Sequence, residues 1–202
     1  MLLHGYEQWG VDLLQRVRGM FTFVIWDKNK QELFGARDHF GIKPFYYAKM
    51  NGTFMYASEI KSLLRHPDFV KELNAEALKP YMTFQYPAIG ETFFKGVYKL
   101  PEGHYFTYRD GKMDIHRYYD EDFREGKQKL GELVNSIDQT VCDSVKAHQI
   151  ADVEVGSFLS SGVDSSYVAA VARPQHTYSI GFGKGTYLSL IHISEPTRPI
   201  SI

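Results

Sequence analysis

The sequence predicts a fold of α+β then α/β type, and three observations carry that reading. Residues 20–58 hold four β-rich runs separated by turn signals. Residues 127–148 carry the strongest amphipathic helical pattern in the chain, and residues 153–182 run strand, small-residue turn, helix, strand. The first texture is that of paired antiparallel strands, and the last is that of a βαβ unit.

Taken in order, Leu2, Leu3, Tyr6, Trp9, Leu13, Leu14 and Val17 recur at roughly helical spacing, although Gly5 and Gly10 weaken a helix over residues 1–18. From Gly19 the period changes. MFTFVIW (20–26), ELFGARD (32–38), KPFYYAK (43–49) and TFMYAS (53–58) read as strands, punctuated by Asp27 to Lys30, Gly41 and Asn51-Gly52. The economical topology is an antiparallel meander. Within the second and third runs, Arg37, Asp38 and Lys43 read as a polar turn tied by local hydrogen bonds. His39 reads as a packed or surface side chain and Phe45, Tyr46 and Tyr47 as core plus strand surface.

Residues 67–99 form a connecting region in which Asn74 precedes a short helical stretch, AEALKPYMTF, that Pro80 would occupy or disturb. The helix over 127–148 has Leu130, Leu133, Val134, Ile137, Val141 and Val145 on one face. That face is expected to pack on a sheet beginning at Val153, with Lys127, Lys129, Glu132 and Asp138 on or near the solvated side. Val153, Val155, Phe158 and Leu159 then read as an apolar strand, Tyr167 to Val171 as a buried helix, and TYSIGF (177–182) as a second strand.

Between strand and helix, Ser160, Ser161, Gly162, Ser165 and Ser166 offer hydroxyls and backbone N–H groups where a helix N-terminus favours an anion. By the rule that ligands of open parallel sheets bind beyond the carboxyl ends of the strands, Leu159 and Ile180 would flank an adenosine. The competing reading is a serine-rich turn that only caps a helix, with Asp164 or Ser165 serving the cap. There is no GxxxxGK[ST] string, so a Walker-type loop is not implied.

Composition narrows the classes. With 202 residues, 44% hydrophobic and 23% charged, the chain is long enough for one large or two small domains. A formal net charge of −1 supplies no electrostatic argument for nucleic acid or an anionic membrane. No apolar run approaches a membrane span, and no secretory leader pattern opens the sequence. The single cysteine, Cys142, sits inside a helical pattern, forms no intrachain disulfide and reads as a packed hydrophobe, which fits a cytoplasmic location.

SSGVDSS (160–166) resembles the pyrophosphate loop, SGGxDS, of the ATP-pyrophosphatase superfamily, with Ser161 in place of the first glycine. The resemblance implies that Leu159, Ser160, Ser161, Gly162, Val163, Asp164, Ser165, Ser166 and Ile180 bind ATP, and that Asp164 helps hold Mg²⁺. Independently, GMFTFVIWD (19–27), ARDHFGIKPFYYA (36–48) and YASEIKSLL (56–64) resemble the C-terminal part of the glutaminase domain of asparagine synthetases. LPEGHYFTY (100–108) and DIHRYYD (114–120) resemble that family's strand pair joining its two domains.

What this implies is the C-terminal part of an N-terminal-nucleophile amidotransferase αββα sandwich over residues 1–120, followed over 121–187 by the start of an ATP-pyrophosphatase (PP-loop) α/β domain. The parent protein would convert aspartate, glutamine and ATP to asparagine, glutamate, AMP and pyrophosphate, without nucleic acid or membrane partners, as a homodimer of the full-length protein. The family's nucleophile is an N-terminal cysteine, whereas residue 1 here is Met, so no catalytic residue is assigned and no glutamine hydrolysis is expected of this chain. Leu188 to Arg198 resembles a translated sequencing adapter, and 188–202 is expected to be an artefactual tail. Two other readings stay open: a related amidoligase that makes β-lactams or modifies peptides, and a non-catalytic truncated product.

Overall fold

The computed structural model describes residues 1–86, 89–160 and 162–179. It divides into two compact units, one of Met1–Phe123 and a second beginning at Arg124.

In the first unit the opening helical pattern breaks where glycine predicts. Helix α1 (Leu2–Trp9) ends at Gly10, whose φ is 57°, and a 3₁₀ turn over Gly10–Gln15 follows. The β-rich runs become β1 (Thr22–Asp27), β2 (Glu32–Arg37), β3 (Tyr46–Met50) and β4 (Thr53–Ala57). Helices α2 (Ile60–Leu63) and α3 (Ala75–Phe84) come next, then β5 (Val97–Lys99), β6 (His104–Arg109) and β7 (Lys112–Arg117). All strand pairs here are antiparallel, in two sheets ordered β1-β2-β6-β7 and β4-β3-β5.

The expected meander is therefore corrected. β1 pairs with β2 and β3 with β4, but β2 takes β6 as its second neighbour and β3 takes β5. The physical reason lies in the alternation of each strand. On β2, Phe34 and Ala36 join Tyr6, Leu13, Leu14 and Ile25 beneath α1 and the 3₁₀ turn, while Leu33 packs with Phe45, Leu100 and Phe106. On β3 and β4, Ala48 and Met55 join Leu63 of α2 and Val97, while Tyr47 and Phe54 pack with the Phe45 group. Both faces of both sheets are thus apolar, and successive residues serve different cores. Two sheets facing one another with helices outside bury these three groups of residues, and the result is the αββα layering. One extended meander would leave one face of every strand in water.

The crossing between sheets, Arg37 to Phe45, is scaffold as the sequence implies. Arg37 and Asp38 are 2% and 1% exposed. The Arg37 guanidinium donates to the carbonyl oxygens of Lys43 (2.7 Å), Leu100 (2.7 Å) and Gly41. The Asp38 carboxylate accepts from the backbone N–H of Phe21 (3.2 Å), Ile42 (2.9 Å) and Lys43 (3.0 Å). His39 stacks on Tyr119 with centroids 4.0 Å apart, a packed ring rather than a base. In the connecting region Pro80 lies inside α3 without ending it. Asn74 stands at the N-cap position, but its amide donates to Glu91 and to the Thr92 carbonyl instead of capping.

In the second unit, helix α4 spans Leu130–His148, so the predicted helix loses residues 127–129, with Lys129 as the N-cap. Strand β8 is only Ser157–Phe158, helix α5 is Val163–Ala172, and β9 is Thr177–Tyr178. β8 and β9 pair in parallel, which makes the predicted βαβ unit. Three expectations need correction. Val153 lies outside the strand and is 78% exposed; α5 has no buried residue; and Leu130, Val134 and Ile137 on α4 are 78%, 55% and 53% exposed. A two-stranded sheet offers too little surface to cover two helices, so α4 packs beside α5 and not on a sheet face.

Candidate functional site

The candidate site is the turn between β8 and α5. Its base is set by the parallel ladder: the Ser157 N–H donates to the His176 carbonyl at 3.0 Å and the Leu159 N–H to the Tyr178 carbonyl at 2.8 Å. Ser179 Oγ then donates to the Leu159 carbonyl at 2.6 Å, extending the join one residue beyond each strand. Gly156 lets the two segments approach, since a Cβ there would lie 2.8 Å from the Tyr178 ring and 3.2 Å from the His176 carbonyl oxygen.

Above that base the turn folds around Ser165. The Ser160 N–H donates to Ser165 Oγ at 3.1 Å, and the two hydroxyl oxygens lie 2.8 Å apart. Ser165 Oγ is also 3.1 Å from the carbonyl oxygens of Ser160 and of Gly162. The Gly162 N–H donates to Ser160 Oγ at 3.3 Å, and Ser166 Oγ donates to the Gly162 carbonyl at 2.9 Å. Gly162 is the N-cap of α5, in extended conformation, and no side chain caps the helix. The reading of this segment as a mere cap by Asp164 or Ser165 is not what the geometry adopts.

Of the sequence-predicted residues, the structure brings Leu159, Ser160, Gly162, Val163, Asp164, Ser165 and Ser166 together in one turn. Ser161 and Ile180 lie outside the described residues, as does the segment 188–202. Asp164 is exposed in the first turn of α5, beside the N–H groups of Val163 and Ser165. No group of three or more His, Cys, Asp or Glu side chains among the described residues could hold a metal ion. A single exposed carboxylate suits Mg²⁺ only where phosphate oxygens and water complete the octahedron.

One element of the neighbourhood is not legible in the pattern. The Tyr167 hydroxyl of α5 donates to Asp138 of α4, and that hydrogen bond to a carboxylate, joined by burial, pushes the phenol up to about 12. It ties the two helices together, and its signal in the sequence is an aromatic in a small-residue helix. Cys142, one turn from Asp138, is half-buried with its Sγ 4.0 Å from Asp138 Oδ1.

With fold and turn established, comparison with known proteins assigns the class. Residues 1–119 match the family model for the glutamine amidotransferase domain, and residues 136–194 match that for asparagine synthase. The chain belongs to the glutamine amidotransferase domain family. More particularly, it is 40% identical over 187 residues to asparagine synthetase (glutamine-hydrolyzing) 1 of Bacillus subtilis, a match covering 90% of this chain and 29% of that protein. It is 39% identical over 197 residues to the putative asparagine synthetase (glutamine-hydrolyzing) of Mycobacterium tuberculosis, covering 91% and 29%. It is also 33% identical over 195 residues to amidase chry2 of Gibberella zeae, covering 92% and 28%. The chain thus spans less than a third of the length of these relatives. Among solved structures, the allosteric regulatory enzyme of purine biosynthesis aligns with 87% of this chain and 36% of its own at a TM-score of 0.39 and 13% identity.

Proposed function

We propose that this chain carries part of a glutamine-dependent asparagine synthetase: the later portion of its glutaminase unit and the opening of its ATP site. The observation that supports it best is the order of features, an amidotransferase-family αββα unit followed by a β8-turn-α5-β9 segment inside the asparagine synthase match. In the whole protein, the side-chain carboxylate of aspartate attacks the α-phosphorus of ATP and the bond to the pyrophosphate group breaks. Ammonia from glutamine then attacks the activated carbonyl carbon, and AMP leaves. The turn contributes fixed N–H donors at the start of α5, aimed at charge that grows on the pyrophosphate.

In this reading Leu159, Ser160, Ser161, Gly162, Val163, Asp164, Ser165, Ser166 and Ile180 form the ATP-binding set. Asp164 would be the residue that holds Mg²⁺, and that ion would supply positive charge for the pyrophosphate leaving group. No residue of this chain is assigned to glutamine hydrolysis, since its one cysteine is Cys142 in mid-helix. A cytoplasmic location and a homodimer of the full-length protein belong to the same reading. The lone cysteine supports the first. The adapter-like reading of 188–202 also stays a proposal, although the asparagine synthase match runs to residue 194; genomic sequence across this segment tests it.

A second reading, an amidoligase acting on another acid, is kept by the match to amidase chry2, at 33% identity against 40% for the synthetase. The test of the site is calorimetry of the 202-residue chain with ATP. Binding is expected to require Mg²⁺ and to weaken in Asp164→Ala; binding that is the same in both proteins with Mg²⁺ present removes Asp164 from the metal.

A further inference from the structure

We infer that Asp138 and Gln149 of α4 are positioning residues of the β8-α5 turn: from two points they hold α5 beside α4, and so fix where the start of α5 stands against the end of β8. The consequence for ATP rests on the proposed nucleotide reading. Helix α5 is 10 residues long and none of them is buried, so apolar contact does little to lock its position. Polar ties hold it instead. The Tyr167 hydroxyl, in the second turn of α5, donates to the Asp138 carboxylate in the middle of α4. The side-chain amide of Gln149, the C-cap residue of α4, donates to the Ala172 carbonyl oxygen at 2.7 Å. Ala172 is the last residue of α5, and its carbonyl has no partner inside the helix.

The order of the ties sets the geometry. Asp138 precedes Gln149 on α4 as Tyr167 precedes Ala172 on α5, so the two helices lie side by side and run in the same direction. Two ties resist both rotation of α5 about its axis and swinging of its start, whereas one would leave a pivot. The strand side of the turn is already fixed by the ladder between β8 and β9. The helix side is what α4 supplies. There the N–H groups of Val163, Asp164 and Ser165 have no acceptor inside the helix, and a helix N-terminus offers such groups to an anion. Backbone N–H groups point along the helix axis, so the direction of these donors follows the placement of α5.

Charge and position predict opposite signs. Removing the Asp138 carboxylate takes away a negative charge and by itself strengthens anion binding, whereas losing the tie weakens it. Affinity for Mg²⁺-ATP and for Mg²⁺-pyrophosphate is measured by calorimetry on the 202-residue chain, Asp138→Ala, Asp138→Asn, Tyr167→Phe, Gln149→Ala and the variant carrying both Asp138→Ala and Tyr167→Phe. Amide exchange of Ser160 and Ser166, read by NMR without nucleotide, reports the turn itself. Their N–H groups reach Ser165 Oγ at 3.1 Å and the Gly162 carbonyl at 3.2 Å. Asp138→Ala, Tyr167→Phe and Gln149→Ala should each bind both ligands up to about tenfold more weakly, the order of one hydrogen bond, and exchange both amides faster. The double variant should be no worse than Tyr167→Phe alone, and Asp138→Asn, which keeps an acceptor oxygen, should bind as the native chain does. Equal or tighter binding in Asp138→Ala, or equal binding in Tyr167→Phe, overturns the inference. Weaker binding with unchanged exchange also overturns it and makes Tyr167 a contact of the ligand. If the native chain binds neither ligand, the nucleotide reading fails, while the exchange rates still decide whether α4 fixes the turn.

Discussion

The hydroxyl of Tyr118 donates to the backbone carbonyl of Arg37 at 2.8 Å, joining residues 81 apart at the ends of β7 and β2. Around that bond the Tyr118 N–H reaches the Gly103 carbonyl at 2.9 Å, and the Arg37 side chain turns the other way to hold the crossing between sheets. The exit of the first unit and the crossing of its two sheets are thus braced at one point.

Burial first, and the charge of Asp38 second, push the Tyr118 phenol far above its ordinary value. A raised phenol favours the folded state while it stays protonated. That contribution is complete below the ordinary tyrosine value of 10.0 and is lost as pH rises through and beyond it toward the folded value. Tyr118→Phe should lose about 1 kcal/mol at neutral pH. It should also show a shallower fall in stability above roughly pH 10 than the native chain. Urea unfolding at a series of alkaline pH values checks both.

Asp38 runs the opposite way. Burial alone would push its carboxyl up, but hydrogen bonds from the backbone of Lys43, Ile42 and Phe21 outweigh it and hold the group below its ordinary value. A lowered carboxyl stabilises the fold above its unfolded value and loses that contribution as pH falls through the folded one. Asp38→Ala strands three N–H donors and should cost about 3 kcal/mol or more at neutral pH. It should also flatten the acid limb of stability below about pH 4, as followed by circular dichroism.

Gly35 is the ladder partner of Phe106, which is fully buried, and a Cβ at residue 35 would fall within 2.6 Å of two carbons of its ring. The ring has no free space to move into, because Phe45 and Phe54 stand 5.5 Å and 6.0 Å from it. Gly35→Ala should destabilise the first unit by about 1–3 kcal/mol. A chemical-denaturation midpoint equal to the native one would show that the core gives more readily than its packing implies.

Tyr167 offers a spectroscopic check on the second unit. Its hydrogen bond to Asp138 pushes the phenol up to about 12, so Asp138→Asn should bring one tyrosine back toward ordinary titration. Ultraviolet difference titration of the two proteins reads this directly. Identical curves would mean that α4 and α5 are not joined through these side chains.

Local features were legible because their causes are local. Asn51-Gly52 predicts a tight hairpin, and both residues adopt positive φ, 49° and 82°, between β3 and β4. Gly10 predicts the break after α1 for the same kind of reason. The turn carrying Ser160, Gly162, Ser165 and Ser166 is legible from order alone, since a small-residue turn between strand and helix is itself the signal, whereas the role of Asp164 comes from the family resemblance. The hydrogen bonds that Ser165 makes with Ser160 and Gly162 were not legible, because they follow from the three-dimensional course of the turn.

The sequence by itself determined the kinds of most elements, the family resemblance and the identity of the candidate turn, but not α2, β5 or the short extent of β8. Tertiary structure decided which strands are neighbours. Alternation in Leu33, Phe34 and Ala36 says that both faces of β2 are buried, yet a period of two carries no information about whether β3 or β6 completes the ladder. That choice is made by surface area, since only two facing sheets, crossed at Arg37 and Asp38, bury Phe34, Phe106 and Ala48 at once. In the second unit the same logic left Leu130 and Ile137 exposed, because an amphipathic pattern marks a face that can be buried and only a neighbouring surface can bury it.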